Sequence, residues 1–471
     1  MNRQPYERPP RWWEPKLSKR WIRFWKSARR REQHNKHRLM DIEVRGLEPV
    51  RKALADGCGV MITPNHASHA DCFALYGAIE QLGGACYAMV AWQVFQRSGP
   101  LRARLLQQHG CFSIDREGTG KSALRQARNV LTSEPYPLAI FPEGDVYHTN
   151  DRVTPFREGP AAIAVMAARK TDRPVVAVPC AIKYEYIEDP TPALLPLLDR
   201  LEEAMHWRPR PDLEMPERIY RIAEGMIALK EIEILGAAKY GSLPDRIEAL
   251  IETVLKHIEP KYDLESSKGT APERVKAVRQ RIIEHLGECT EETEKGSGTF
   301  SAKHPSGRSG KRSLTPFLSS KHQELQNDMD DIFMVMQAFS YPGDYVSENP
   351  TIERIAETLD KFEEDVLGAS TATIRAKRKA TVVLGEPIPV SAEKGGRKAI
   401  TKLTQVLESN VQSLLDEING AEKPEEPTPV AADLHDKYST SSEDSDTLTK
   451  IPPRGTSTTN VPNSGRDIET P

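Results

Sequence analysis

Short apolar runs alternate with amphipathic segments between residues 41 and 184, and this alternation predicts an α/β unit. The apolar runs, which predict strands, occupy residues 42–44, 60–63, 85–92, 111–114, 138–141 and 175–182. The amphipathic segments, which predict helices, occupy residues 47–54, 122–131 and 158–170, with one more that starts near residue 73. Strands that are apolar on both faces and alternate with helices are typical of a central, mostly parallel or mixed sheet flanked by helices.

The pattern changes beyond this unit. Residues 185–378 show mainly helical periodicity, which predicts a large helical insertion with a flexible loop rich in Gly, Ser and Lys at about 291–313. A strand pattern returns within residues 379–418 and is followed by a helical one from about residue 392, so we expect a returning core strand and a closing helix. Residues 419–471 are rich in Pro, Ser, Thr and charge, which predicts a disordered tail.

The first 40 residues are strongly basic, with thirteen Lys or Arg against three Glu. Aromatic and apolar side chains recur at helical spacing from Leu17 to Ala28, with cations among them. This composition suits the headgroup layer of an anionic membrane, so we expect this segment to bind a membrane surface. The alternative is a helix that docks its aromatic side on the protein's own core.

The whole chain carries 65 basic and 68 acidic residues, a net charge of −3, which gives no indication of a nucleic-acid partner. The six cysteines form no C-x-x-C pair and lie mostly in apolar runs, as expected for reduced core thiols in a cytoplasmic protein. No apolar run approaches the roughly 20 residues that span a bilayer. We therefore expect no transmembrane helix and a peripheral protein on the inner membrane face, and the oligomeric state stays open.

Candidate chemistry is concentrated in a turn with two histidines and an aspartate, His66, His69 and Asp71. The turn lies between a predicted strand and a predicted helix, where open α/β sheets usually bind ligands. A histidine just before a helix can act as a base when an acid holds its ring. Residues five apart on a regular helix lie about 140° apart, so His66 must precede the helix and curl back. The alternative is that Asn65 or Ser68 caps the helix and both histidines are surface groups.

Three later stretches add to this turn. Residues 110–116 place Asp115 and Arg116 after a strand, residues 141–144 place Glu143 after another, and residues 175–182 interrupt an apolar strand with Pro179. Each stretch alone has an ordinary structural explanation. Together with His66-x4-Asp71, and in this order, they resemble the glycerolipid acyltransferase family, which makes phosphatidic acid by acylating glycerol-3-phosphate or lysophosphatidic acid. The resemblance covers residues 41–184 and the strand at 380–390.

The resemblance implies roles for individual residues. His66 would be the general base that takes the proton of the acceptor hydroxyl, and Asp71 would orient and stabilise it. The remaining residues would bind substrate: Arg116 the acceptor phosphate, Glu143 and Gly144 the glycerol part, and Pro179 the apolar wall near the acyl chain. The resemblance implies no metal and no cofactor, since the acyl donor, acyl-CoA or acyl carrier protein, is itself a substrate.

The third stretch departs from the family pattern. The family commonly continues with Glu-Gly-Thr-Arg-Ser, whereas residues 143–148 read Glu-Gly-Asp-Val-Tyr-His. Arg152 and Arg157 are candidates to replace the missing arginine. The resemblance favours acyl transfer to a lysophospholipid hydroxyl, with 1-acylglycerol-3-phosphate as acceptor, and the departure leaves a different lipid acceptor as the alternative.

Two other classes of function fit parts of the sequence. A metal-dependent hydrolase would use His66, His69 and Asp71 as ligands, and would need further histidines, for which His109 and His148 are the nearby candidates. An inert membrane-binding scaffold would keep the fold without its chemistry. The four ordered stretches favour the acyltransferase and leave His69 outside the reaction.

Overall fold

The computed structural model describes residues 11–116, 120–265, 269–296, 320–392 and 396–420. Within these ranges the chain forms one sheet of eight strands. The strands are β1 (Leu39–Arg45), β2 (Gly59–Pro64), β3 (Tyr87–Ala91), β4 (Cys111–Ile114), β5 (Leu138–Ala139), β6 (Val175–Tyr186), β7 (Arg378–Leu384) and β8 (Ile388–Pro389).

Sixteen α-helices accompany the sheet in the described part of the chain. Those before β6 are α1 (Lys19–Phe24), α2 (Lys26–Asn35), α3 (Leu47–Ala55), α4 (Asp71–Gln81), α5 (Trp92–Arg97), α6 (Gly99–Gln108), α7 (Lys121–Ser133) and α8 (Gly159–Ala168). Those after β6 are α9 (Thr191–Ala204), α10 (Met215–Leu235), α11 (Leu243–Ile258), α12 (Ala271–Gly296), α13 (Ser320–Phe339), α14 (Tyr345–Glu348), α15 (Ile352–Asp365) and α16 (Gly396–Gly420).

The strand order is β1-β7-β6-β2-β5-β3-β4, and β8 also pairs with β6. All neighbours are parallel except for the antiparallel pairs that β6 makes with β7 and β8. The predicted α/β fold with a mostly parallel, mixed sheet is therefore confirmed. Strand β7 enters beside β6 only after the helical segment that follows β6, so the two antiparallel neighbours are distant in sequence.

Both faces of the sheet are covered, which explains why its strands are apolar throughout. On β2, Met61 belongs to the apolar layer that contains α7 and α8, while its neighbour Ile62 belongs to the layer that contains α3 and α4. Successive side chains of a strand point to opposite faces, so a strand buried on both sides needs an apolar residue at every position. The strand β2 is buried along its whole length.

The helices between β6 and β7 have a core of their own. It is formed mainly by side chains of α9, α10, α11, α13 and α15, with residues such as Leu198, Ile222 and Leu255 fully buried. A buried ionic network joins α15 to the sheet layer: the carboxylate of Asp151 accepts hydrogen bonds from Lys183 on β6 and from Arg354 Nε on α15, the latter at 2.8 Å. The predicted domain boundaries stay predictions, but this segment is helical throughout its described residues.

Some predicted element boundaries differ from the structure. Helix α12 continues to Gly296, so the loop expected from residue 291 starts later, and the rest of that loop, 297–313, lies outside the described residues. The closing helix runs from Gly396 to Gly420 and not from 392 to 418. The predicted disordered tail, from residue 421 onward, lies outside the described residues.

The amino-terminal segment packs on the sheet layer. Trp13 stacks on Phe95 with ring centroids 5.5 Å apart, and Ile22 on α1 is buried. The predicted docking of this segment is thus present, while Trp21 and Phe24 on α1 stay exposed. Among the described helices, none combines the length and the apolar character needed to cross a membrane.

We predict that Arg354→Ala lowers the free energy of unfolding by about 3 kcal/mol, because it removes one of the two cations that neutralise the buried Asp151 carboxylate. Urea unfolding followed by circular dichroism measures this loss. Arg210→Ala, which removes an exposed pair with Asp212, is the matched control and should change the stability little. Equal effects of both substitutions would show that the buried network does not hold the helical segment in place.

Candidate active site

The loop between β2 and α4 brings His66 and Asp71 into contact. Asp71 is the first residue of α4, and its Oδ2 lies 2.8 Å from His66 Nδ1. The same oxygen accepts a hydrogen bond from the Ser68 amide at 2.9 Å, so the loop curls around the carboxylate as the five-residue spacing requires. Asp71 is fully buried, whereas the His66 side chain is 22% exposed. The geometry therefore gives an accessible imidazole held by a buried acid.

Tyr184 is a third member of this group that the sequence did not indicate. Its hydroxyl donates a hydrogen bond of 2.7 Å to Asp71 Oδ1. Burial, and secondarily the Asp71 charge, raises the pKa of Tyr184 well above its ordinary value, so the phenol keeps its proton and remains a donor. The Arg378 guanidinium lies over the Tyr184 ring, 4.3 Å from its centroid. Tyr184 comes from the end of β6, so its partnership with Asp71 depends on the tertiary fold.

Asn65 anchors the loop to the sheet. Its side-chain amide donates to the Ile182 carbonyl at 3.0 Å and accepts from the Ile182 amide at 2.7 Å. The alternative prediction that Asn65 or Ser68 caps the helix is wrong, because the residue that precedes α4 is Ala70 and no side chain caps it. The polar groups of this turn instead position the His66 backbone against β6.

Glu143 supports His66 from below. Its carboxylate is almost fully buried and accepts hydrogen bonds from the His66 amide at 2.6 Å and the Thr154 amide at 3.3 Å. Burial raises the pKa of Glu143 to about 8. Both oxygens hold backbone groups, so the observed task of Glu143 is to fix the loop, and its expected part in positioning glycerol stays a prediction.

Gly144 lets two guanidinium groups approach the turn after β5. Its φ of +80° favours glycine, and a Cβ there would come within 2.6 Å of Arg157 Nε. The carbonyl of Gly144 accepts a hydrogen bond from Arg116 Nη1 at 2.5 Å. Arg116 from the second stretch and Arg157 therefore converge on the third stretch, although they are distant in sequence.

A single acidic residue, Asp145, lies between these two cations. Arg116 Nη1 is 3.6 Å from Asp145 Oδ2. Burial alone would raise the pKa of Asp145, but Arg116 and Arg157 hold it below its ordinary value. Two guanidinium groups and one carboxylate leave a net positive charge here. Arg152, the other candidate for the missing arginine, is committed elsewhere, in ion pairs with Asp344 at 2.7 Å and Glu348 at 2.9 Å.

Pro179 lies inside the sheet, opposite Thr63 of β2, and is buried. A proline in a strand usually marks an edge, because it cannot donate to the ladder. Here its carbonyl accepts from the Gly385 amide at 2.8 Å, just past the end of β7, so the missing N–H falls where the ladder with β7 has ended. Its expected place beside the acyl chain stays a prediction.

His69 does not join His66. Instead, His69, His148 and Glu364 place one possible metal-ligand atom each within 4.8 Å of one another. The Nε2 atoms of His69 and His148 lie 3.0 and 3.4 Å from Glu364 Oε1. Imidazole nitrogen and carboxylate oxygen are zinc ligands, so this trio is the set of described residues with the chemistry to hold a metal ion. The sequence gave His148 no acidic neighbour, because Glu364 arrives from α15.

Comparisons with known proteins agree with the geometry. Residues 41–183 match the model of the family described as Acyltransferase. The chain is also similar to a glycerol-3-phosphate acyltransferase of Aeromonas hydrophila, with 29% identity over 153 residues. That match covers 31% of this chain and 18% of the relative. The expected relationship to the glycerolipid acyltransferases is thereby confirmed, and residues 41–183 form an acyltransferase domain.

We predict that Glu143→Gln changes how stability depends on pH. The folded pKa of Glu143, about 8, lies above the ordinary value of about 4.3, so its protonated form stabilises the fold below pH 4.3 and this contribution is lost as the pH rises to 8. The unfolding free energy of the wild type minus that of the variant should fall across this window, by up to about 1.4 kcal/mol per pH unit. A difference that stays constant from pH 5 to 8 would mean that Glu143 is ionised throughout.

Proposed function

We propose that this protein, through its acyltransferase domain, moves a fatty acyl group from an acyl thioester to the hydroxyl of 1-acylglycerol-3-phosphate. The observation that carries the proposal is the contact between His66 and Asp71, next to a turn on which the guanidinium groups of Arg116 and Arg157 converge. A base for a hydroxyl and a cationic site for a phosphate are the two groups that this reaction needs.

The hydrogen bonds assign the proton positions of the base. Asp71 accepts from His66 Nδ1–H, so His66 Nε2 is left as the acceptor for the proton of the substrate hydroxyl. The resulting imidazolium is stabilised by the buried Asp71 carboxylate. The hydroxyl oxygen then bonds to the thioester carbonyl carbon, the C–S bond breaks, and the leaving thiolate takes the proton back from His66. The thioester is already activated, so a covalent enzyme intermediate is not required.

The cationic site supports a phosphate-bearing acceptor. A guanidinium forms bidentate, charge-assisted hydrogen bonds with phosphate oxygens, and Arg116 and Arg157 supply two of them. Asp145 balances one of these charges, which leaves a positive charge for an anion. Arg157 takes the place that the family pattern gives to an arginine within the third stretch.

Glycerol-3-phosphate is the second candidate acceptor. The relative from Aeromonas hydrophila is named for acylation of this molecule, and the same cations suit either phosphate. A purified sample offered a labelled acyl thioester with 1-acylglycerol-3-phosphate, glycerol-3-phosphate and uncharged lipid alcohols distinguishes the acceptors by the product formed. We expect acylation of the phosphate-bearing acceptors and preference for 1-acylglycerol-3-phosphate; preference for an uncharged alcohol would contradict the phosphate site.

We predict that His66→Ala and Asp71→Ala both abolish acyl transfer while the protein stays folded, because one removes the base and the other leaves it unoriented. Product formation from labelled thioester measures activity, and circular dichroism measures folding. His257→Ala, which changes an exposed histidine on α11, is the control and should keep full activity. Turnover at the wild-type rate in either site variant would show that the pair serves the structure alone.

We further propose that α1 holds the protein on anionic membranes. Trp21 and Phe24 are 44% and 68% exposed, and the basic residues Lys19, Arg20 and Arg23 on the same helix are exposed too. The rest of the segment is tied to the core, so the helix presents its aromatic rings from a fixed base. Lipid acceptors reach an enzyme most directly at the membrane surface, which gives this helix a use.

We predict that Trp21→Ser/Phe24→Ser weakens binding to anionic vesicles severalfold or more, because it removes the apolar area that enters the headgroup layer. Vesicle co-sedimentation measures binding. Tyr240→Ser, which removes an aromatic ring that is 85% exposed elsewhere, is the control and should bind as the wild type does. If the double variant binds equally well, the exposed rings of α1 do not mediate membrane contact.

A further inference from the structure

A large apolar cavity lies within the helical segment between β6 and β7. Its volume is about 240 Å³, and helices α10, α11, α13, α14 and α15 form most of its wall. Side chains such as Ile219, Met226 and Met334 line it. For comparison, an apolar cavity of roughly 150 Å³ holds a benzene ring, so this one has space for more than six carbon atoms.

The cavity reaches the acyltransferase domain at residues 147–149, which form the rest of its wall. This stretch is bonded directly to the base, because the Tyr147 amide donates a hydrogen bond of 3.2 Å to the His66 carbonyl. The Tyr147 ring in turn contacts Phe339 at the end of α13, with centroids 6.2 Å apart. The catalytic loop and the helical segment thus meet at the cavity wall.

The charged groups on the wall leave little for a charged ligand. Lys361 is buried, lies 3.5 Å from Asp365, and faces the Tyr341 ring at 4.6 Å. Its charge is therefore compensated within the wall. Water makes few hydrogen bonds in an apolar space, whereas a hydrocarbon gains about 0.8 kcal/mol per methylene group buried. An unbranched alkyl chain is the ligand that matches this chemistry.

We propose that the cavity of the helical segment binds the fatty acyl chain of the thioester donor. The inference rests on the proposed function, and it gives the segment between β6 and β7 a task beyond packing. A chain held in this cavity has its thioester end toward residues 147–149 and the loop of His66. The depth of the cavity then limits the length of the chain that is transferred.

Two partly buried alanines on the wall, Ala223 on α10 and Ala338 on α13, allow the cavity to be filled without changing the catalytic loop. Ala223→Phe and Ala338→Phe fill it most, and Ala223→Leu and Ala338→Leu fill it less if the larger rings prevent folding. Ala249→Phe adds a ring at an exposed position of α11 and is the matched control. Thermal unfolding shows which variants are folded.

The probes are non-hydrolysable pantetheine thioethers with chains of 12 or 4 carbons, since pantetheine is common to both possible donors. Calorimetry should show that the wild type binds the 12-carbon probe at least about tenfold more tightly than the 4-carbon one. Filling the cavity should weaken the 12-carbon probe by about tenfold or more and leave the 4-carbon probe unchanged. Transfer assays should show the same shift toward short donors, with an unchanged KM for the acceptor.

Other outcomes separate this proposal from the proposed function. Equal binding of both probes by the wild type, or filled variants that bind and transfer long chains normally, would overturn the cavity proposal while leaving acyl transfer intact. A changed preference for the chain of the acceptor, and not of the donor, would also overturn it. Probe binding that depends on the cavity in a protein that acylates none of the acceptors would support the cavity and reject the proposed function.

Discussion

The buried carboxylate of Asp71 is the constraint on which the site depends. A carboxylate removed from water is costly unless donors surround it, and Asp71 has the His66 ring, the Ser68 amide and the Tyr184 hydroxyl. Two of these donors come from the loop itself, and the third comes from β6. The loop must therefore curl tightly and also lie against β6. Asn65 secures that position with two hydrogen bonds to the backbone of β6.

Because Tyr184 belongs to the carboxyl end of β6, the site also depends on what pairs with β6 there. That neighbour is β7, which opposes Tyr184 with Ala380 and follows the long helical segment in the chain. The helical segment contacts the catalytic loops as well. Glu364 on α15 bonds His69, and Arg354 on the same helix bonds Asp151. The segment is thus fastened to the active-site side of the sheet, where its apolar cavity adjoins residues 147–149.

Charge balance around the turn after β5 separates two tasks. Glu143 faces inward, where burial favours its protonated form and its oxygens hold backbone amides. Asp145 faces the guanidinium groups of Arg116 and Arg157, which favour its ionised form. Two carboxylates two residues apart therefore have opposite pKa shifts, one caused by desolvation and one by neighbouring cations. Gly144 between them makes the close approach of the guanidinium groups possible.

The sequence alone determined the alternation of apolar runs and helices, and hence the α/β fold, because strands buried on both faces need apolar residues at every position. The spacing of His66 and Asp71 likewise required a curled loop, since a straight helix would separate them. Only the tertiary structure decided the partners supplied from afar: Tyr184 for Asp71, Arg157 rather than Arg152 beside Gly144, and Glu364 for His69 and His148. Such pairs depend on strand order and on helix packing, which local periodicity does not encode.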